Sequence, residues 1–170
     1  MLRRSLSSRL INYAPLILLY YLSASEVDTH FENYFEILSF NIQLIIIYFW
    51  SLKRPHALGN GHIFFAGLIN DVIMGFPLGI SSLCYLLVSL VATYVKNMSV
   101  HTTLASDWFT FFIALLISNT LFLILLSNFS GIIISFEEIS YNTFFTFLFF
   151  PFFWFIFNFF NSIMRDLKYV

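Results

Sequence analysis

Asp71 lies in the stretch GLINDVIMGFPLG, residues 67–79, with Gly67 four residues before it and Gly75 four residues after. It is an acid well inside an apolar run. An ionised carboxylate at the centre of a bilayer costs roughly 2.5–3.5 kcal/mol on insertion scales. The cost falls near a helix end, or where Ser and Asn partners, helix N-terminal amides or protonation meet the charge. Two chemistries fit. Asp71 either anchors a tight turn and locks two helices or a partner together, or it forms a substrate or proton site. A single acid with no second acid or histidine nearby makes a poor proton relay. Ser81 and Ser82 are the natural partners, because the start of a helix carries a partial positive charge.

The other reactive side chains point to less. Glu137 and Glu138 are adjacent in an expected outer loop, and adjacent carboxylates rarely converge on one substrate. His56 and His62 flank the loop KRPHALGNGH, and their spacing without further ligands does not make a metal site. Gly59-Asn60-Gly61 is a turn without the lysine or preceding strand of a phosphate loop. Cys84 is a lone thiol in an apolar run, expected as a small buried hydrophobe. Asp107 is an acid at a helix start and needs no functional role there. Asn41, Gln43, Asn119 and Thr120 are expected to form interhelical hydrogen bonds, worth about 0.6 kcal/mol each. No Ser/His, Asp/Asp or HExxH arrangement appears, so no enzyme, metal or cofactor is expected.

The elements that must position these residues are membrane helices. The 170-residue chain is 59% hydrophobic and 10% charged, with 24 phenylalanines. Soluble domains carry about 25% charged residues, and so much exposed apolar surface would associate in water. An all-α, polytopic helix bundle is expected, as a single integral membrane domain over residues 1–170. Its six spans cover about 10–25, 34–52, 61–75, 78–95, 105–127 and 141–163. The basic start MLRRSLSSRL resembles a signal peptide, but an uncleaved first helix is preferred because the later spans need orienting. Pro151 should kink or unwind the last span. Tyr20, Tyr21, Trp50, Tyr94, Trp108, Tyr141 and Tyr169 near the span ends suggest an interfacial belt. Trp154 lies deeper.

Charge tests the span count. With six spans and the N-terminus inside, Arg3, Arg4, Arg9, Lys53, Arg54, Lys96, Arg165 and Lys168 all fall on the cytoplasmic side. The outer loops then hold Glu26, Asp28, Glu32, Glu137 and Glu138 and no basic residue. That asymmetry is the positive-inside pattern. Lys53 and Arg54 become a cytoplasmic basic loop, suited to lipid headgroups or a cytoplasmic partner.

Backbone geometry matters most between residues 55 and 79. Five of the six glycines (Gly59, Gly61, Gly67, Gly75, Gly79) and two of the four prolines (Pro55, Pro77) lie there. Gly67, Asp71 and Gly75 share one helix face. Small residues four apart let a second helix approach closely. Pro77 and Gly79 shape an outer turn with almost no loop.

Pro55 followed by Gly67-Leu68, Asp71, Gly75 and Pro77-Leu78-Gly79, at the third span of a short basic-inside membrane protein, resembles the bacterial rod shape-determining protein MreD family. The match covers about 30 residues and continues into Ser82-Leu83-Cys84-Tyr85-Leu86. This chain has Ile80 and Ser81 where the family often has an aromatic residue or histidine. The resemblance implies a non-enzymatic subunit of the cell-wall elongation complex in the bacterial inner membrane. MreC-like, MreB-like, RodA-like and penicillin-binding transpeptidase proteins are its implied partners, with no nucleic acid. On this basis Gly67, Asp71, Gly75, Pro77 and Gly79 are the expected helix-packing or partner site. A second reading, from size and span number, is the substrate-binding membrane component of an energy-coupling vitamin transporter. No cluster of polar residues on the outer loops favours it.

Overall fold

The computed structural model describes residues 2–25, 41–98, 103–129 and 136–169, with side chains from 13 onwards in the first segment and up to 163 in the last. Seven helices make up the regular structure of these residues: α1 (Leu2–Ser25), α2 (Ile42–Lys53), α3 (Pro55–Leu58), α4 (Asn60–Met74), α5 (Ile80–Met98), α6 (Leu104–Phe129) and α7 (Phe136–Tyr169). The expected spans fall on α1, α2, α4, α5, α6 and α7. Residues 34–40 of the second lie outside the described residues. Among the described residues, three helices are long and apolar enough to cross a membrane: Ile80–Met98, Leu104–Phe129 and Phe136–Ile163. The α1 stretch Tyr13–Ser25 and α2 are apolar but shorter.

Three local expectations change. The segment PHAL of the expected cytoplasmic loop is a single helical turn with Pro55 at its start, where the missing N–H costs nothing. Gly59 alone then separates it from α4, at φ 67°, so Asn60 and Gly61 are already helical. Glu137 and Glu138 are not in a loop; they occupy the first turn of α7, where negative charge complements the helix dipole. Pro151 does not unwind α7, which is helical throughout Phe136–Tyr169.

The central helix is α2. Every residue from Gln43 to Leu52 is buried. A helix apolar on all sides, IQLIIIYFWSLK, has no solvent face to offer and belongs in the middle of a bundle. It packs against α1, α5 and α7. Trp50 is therefore only 1% exposed and leaves the expected interfacial belt. Tyr21, Tyr94 and Tyr141 are exposed.

α5 packs against α2, α4 and α6. Its inward stripe is small or slender: Ser81, Ser82, Val88, Ser89 and Ala92 are buried, beside Cys84 and Tyr85. Its outward face carries Leu83, Leu90 and Tyr94. Ser89 meets Ser51 of α2 through their hydroxyls at 3.0 Å. Aromatic rings pack one turn away along α2. Tyr48 lies edge-on to Phe111 and Phe150, which stack on each other at 4.4 Å.

The exterior is unlike a soluble protein's. Ser82, Gln43, Asp71 and Asp107 are fully buried, while Val72, Leu90, Phe109, Phe152 and Phe159 are each at least 60% exposed. An apolar exterior around a partly polar interior is stable in hydrocarbon, where exposed phenylalanine costs nothing and helices associate by packing and hydrogen bonds.

Candidate functional site

The stretch that opened the sequence reading forms the junction of α4 and α5. α4 ends at Met74 because Gly75 adopts the left-handed conformation, φ 68° and ψ 22°. The N–H groups of Gly75 and Phe76 both return to the Asp71 carbonyl, the latter at 2.9 Å. These bonds satisfy a carbonyl that the end of a helix would otherwise orphan. The chain then turns through Phe76, Pro77 and Leu78. Gly79, at φ 103°, opens α5, its carbonyl accepting from Leu83 N at 2.9 Å.

The Asp71 side chain closes this turn from inside. Its Oδ2 accepts from Gly79 N at 2.7 Å and its Oδ1 from Ser81 N at 2.9 Å. The carboxylate is fully buried. Both oxygens therefore hold backbone amides at the start of α5, where the helix dipole adds favourable potential. One turn earlier Gly67 lies against Ser82. A Cβ built on Gly67 would stand 2.4 Å from Ser82 Cα and 2.6 Å from Ser82 N. The backbones touch, and Ser82 Oγ donates to Phe64 O at 3.0 Å across the same contact. Asn70 Nδ2 donates to Ser81 Oγ at 3.1 Å.

Gly67 and Asp71 thus meet α5 at one junction, which Pro77 and Gly79 complete. Gly75 is on the same stretch but packs against nothing. A Cβ there would meet open space. Its requirement is the positive φ of a helix cap, and the expected close-packing role is corrected to that. Ser81 meets Asp71 through its backbone, whereas Ser82 serves the Gly67 contact.

The second polar cluster lies at the other end of the bundle and was not foreseen. Asp107, in the first turn of α6, is fully buried. Its Oδ2 pairs with Lys53 Nζ at 3.0 Å and accepts from Trp154 Nε1 at 3.0 Å. The Lys53 ammonium also lies 5.9 Å from the Trp154 ring centroid, within cation–π range. Lys53 is the last residue of α2 and its side chain is only 18% exposed. Arg54 donates through Nη2 to Asn161 O at 3.5 Å. These two residues turn inward onto α6 and α7 instead of forming a lipid-facing basic loop. Asp107 Oδ1 has no hydrogen-bond partner.

The remaining candidates resolve individually. His62 Nδ1 lies 3.1 Å from the Tyr20 hydroxyl, and His56 is exposed. Cys84 is buried, with its thiol donating to Ser118 O at 3.6 Å. Gln43 and Asn119 do bond across helices, to Leu22 O and Thr143 Oγ1. Asn41 also bonds across helices, its N–H donating to Thr146 Oγ1 of α7 at 2.8 Å, while its side chain caps α2 through Leu44 N; Thr120 bonds back to Leu116 O in its own helix. Trp108 stacks on Phe147 and donates to its carbonyl at 2.9 Å.

No family model, curated protein or solved structure matches this chain.

Proposed function

We propose that this chain is a non-enzymatic interaction subunit of a cell-wall elongation complex, as its resemblance to the MreD family implies. In this reading it is a six-span protein of the bacterial inner membrane with both termini cytoplasmic. The all-helical fold and the apolar exterior support a membrane bundle, and the one-sided placement of the eight basic residues supports the six-span orientation. One observation carries the non-enzymatic part. Asp71, the acid best placed for chemistry, spends both oxygens on the backbone amides of Gly79 and Ser81. A carboxylate so engaged is an architectural element that gives the α4–α5 junction a fixed outline for a partner to read. MreC-like, RodA-like and transpeptidase proteins are the partners proposed on the outer or intramembrane side, and an MreB-like protein on the inner side.

The test is affinity purification of the tagged protein in mild detergent with mass spectrometry of what accompanies it. MreC-like, RodA-like or transpeptidase proteins should exceed their level with an unrelated membrane protein. Recovery of paired ATPases with an energy-coupling membrane subunit would overturn the proposal in favour of the transporter reading. Asp71→Leu should impair rod-shape complementation more than Glu137→Ala. Equal complementation by the two variants would remove the α4–α5 junction from the partner site.

A further inference from the structure

The end of the bundle that holds the α4–α5 turn carries a half-open cavity of about 330 Å³. Four asparagines from separate parts of the chain line it: Asn41 at the start of α2, Asn70 of α4, Asn119 of α6 and Asn142 of α7. Lipid exposure cannot explain this convergence, since carboxamides in a membrane protein are expensive unless paired. Three of the four keep a polar atom unpaired among the described residues. Asn70 is 6% exposed and its Oδ1 has no hydrogen-bond partner. Asn119 commits its Nδ2 to Thr143 and its Oδ1 to no described residue. Asn41 uses its Oδ1 to cap α2 and leaves its Nδ2 unbonded among the described residues. A buried amide oxygen left unsatisfied is costly, and its cost is recovered when a ligand donates to it.

We infer that this cavity is a binding site for a small, planar molecule without negative charge that presents both N–H and C=O groups, as an amide or a lactam ring does. The amide oxygens of Asn70 and Asn119 would accept from N–H groups of a ligand, and the Asn41 Nδ2 would donate to a carbonyl. Glu138 lines the cavity and is exposed, and its charge opposes an anion. Phe76 and Phe122 lie edge-to-face at 5.4 Å in the same lining, beside Tyr85. They supply flat apolar contact for a ring. The volume lies at the small end of ligand pockets. This goes beyond the proposed scaffold role and does not depend on it.

The experiment titrates the purified full-length protein in detergent with nicotinamide and with thymine, using benzoate as a charged control of similar size. Saturation-transfer NMR reads binding. At least one uncharged probe should saturate with a Kd on the order of 1 mM or tighter, as expected of so small a ligand. Asn70→Leu and Asn119→Leu should each weaken it about tenfold, the value of one lost hydrogen bond to a buried amide. Benzoate should bind at least about tenfold more weakly. Asn70 also holds Ser81, so Asn119→Leu decides the matter if Asn70→Leu fails to fold. Absence of saturable binding by both uncharged probes up to about 10 mM would overturn the inference. Unchanged affinity in the folded variants, or equal binding of benzoate, would do the same.

Discussion

Replacing Gly67 by alanine tests the α4–α5 contact most directly. The added Cβ would stand 2.4 Å from Ser82 Cα, 2.6 Å from Ser82 N and 2.9 Å from Ser82 Oγ. Carbon atoms rest about 3.5–4.0 Å apart, so the helices must separate by roughly 1 Å. Two of the three contacts are backbone, and no rotamer change relieves them. Separation also stretches the Ser82 Oγ bond to Phe64 O, now 3.0 Å, and the Asn70 bond to Ser81. Overpacking costs about 1–3 kcal/mol, and a lost interhelical hydrogen bond adds about 0.6 kcal/mol. Gly67→Ala should therefore lower stability by about 3 kcal/mol. The assay is unfolding of the purified protein from mild detergent by titrated SDS, followed by near-ultraviolet and far-ultraviolet circular dichroism. Ser82→Ala alone should cost under about 1 kcal/mol, and the double variant should stay as unstable as Gly67→Ala. A loss below about 0.5 kcal/mol for Gly67→Ala, within the range of neutral surface changes, would refute the close approach. Recovery in the double variant would show that the hydroxyl, and not the backbone, sets the distance.

Gly75→Ala should cost only about 1 kcal/mol, the price of a left-handed alanine with open space around it, and the same SDS titration separates it from Gly67→Ala. Asp71→Asn keeps one acceptor and turns an NH₂ toward Gly79 N or Ser81 N, so it should lose about 2 kcal/mol; hydrogen exchange at those two amides should rise while exchange in the middle of α5 does not. Asp107→Leu removes the carboxylate that pairs with Lys53 and should cost about 2–3 kcal/mol, less than a fully buried pair because Lys53 is 18% exposed. Lys53→Met combined with Asp107→Leu should restore most of that loss, and a double-mutant cycle showing additive costs would disprove the pairing.

The two polar clusters differ in how far the sequence disclosed them, and distance along the chain is the reason. Asp71 reaches partners 8 and 10 residues away, through a turn whose Gly, Pro and Ser residues are themselves signals. The left-handed Gly75 and Gly79 of the same stretch carry their geometry in their type. Gly75 was misplaced because four-residue spacing assumes a helix that continues, whereas Gly75 is the residue that ends it. Asp107 gave no such signal. An acid in the first turn of a helix looks solvated, and its partner Trp154 lies 47 residues on, within a run of phenylalanines. Only packing of α6 and α7 around the end of α2 brings Lys53, Asp107 and Trp154 together. The cavity asparagines were hidden for the same reason, because each sits on a different helix.

Phenylalanine is abundant, at 24 of 170 residues, yet its lipid-facing rings determine little of the architecture. Along α7, Phe144, Phe152, Phe155 and Phe159 are each at least 58% exposed. Leucine or isoleucine would meet lipid equally well at those sites, since acyl chains provide no driving force that distinguishes them. What separates one helix packing from another must then come from the few residues that are not interchangeable. Gly67 admits Ser82, Ser51 meets Ser89, Asp71 holds the start of α5, and Asp107 ties α6 to α2 and α7. Three of these four contacts involve α5, which touches α2, α4 and α6 through its small inward stripe. α5 is accordingly the helix on which the bundle is registered. Small-residue changes along its inner face should do more damage than the loss of any lipid-facing aromatic ring.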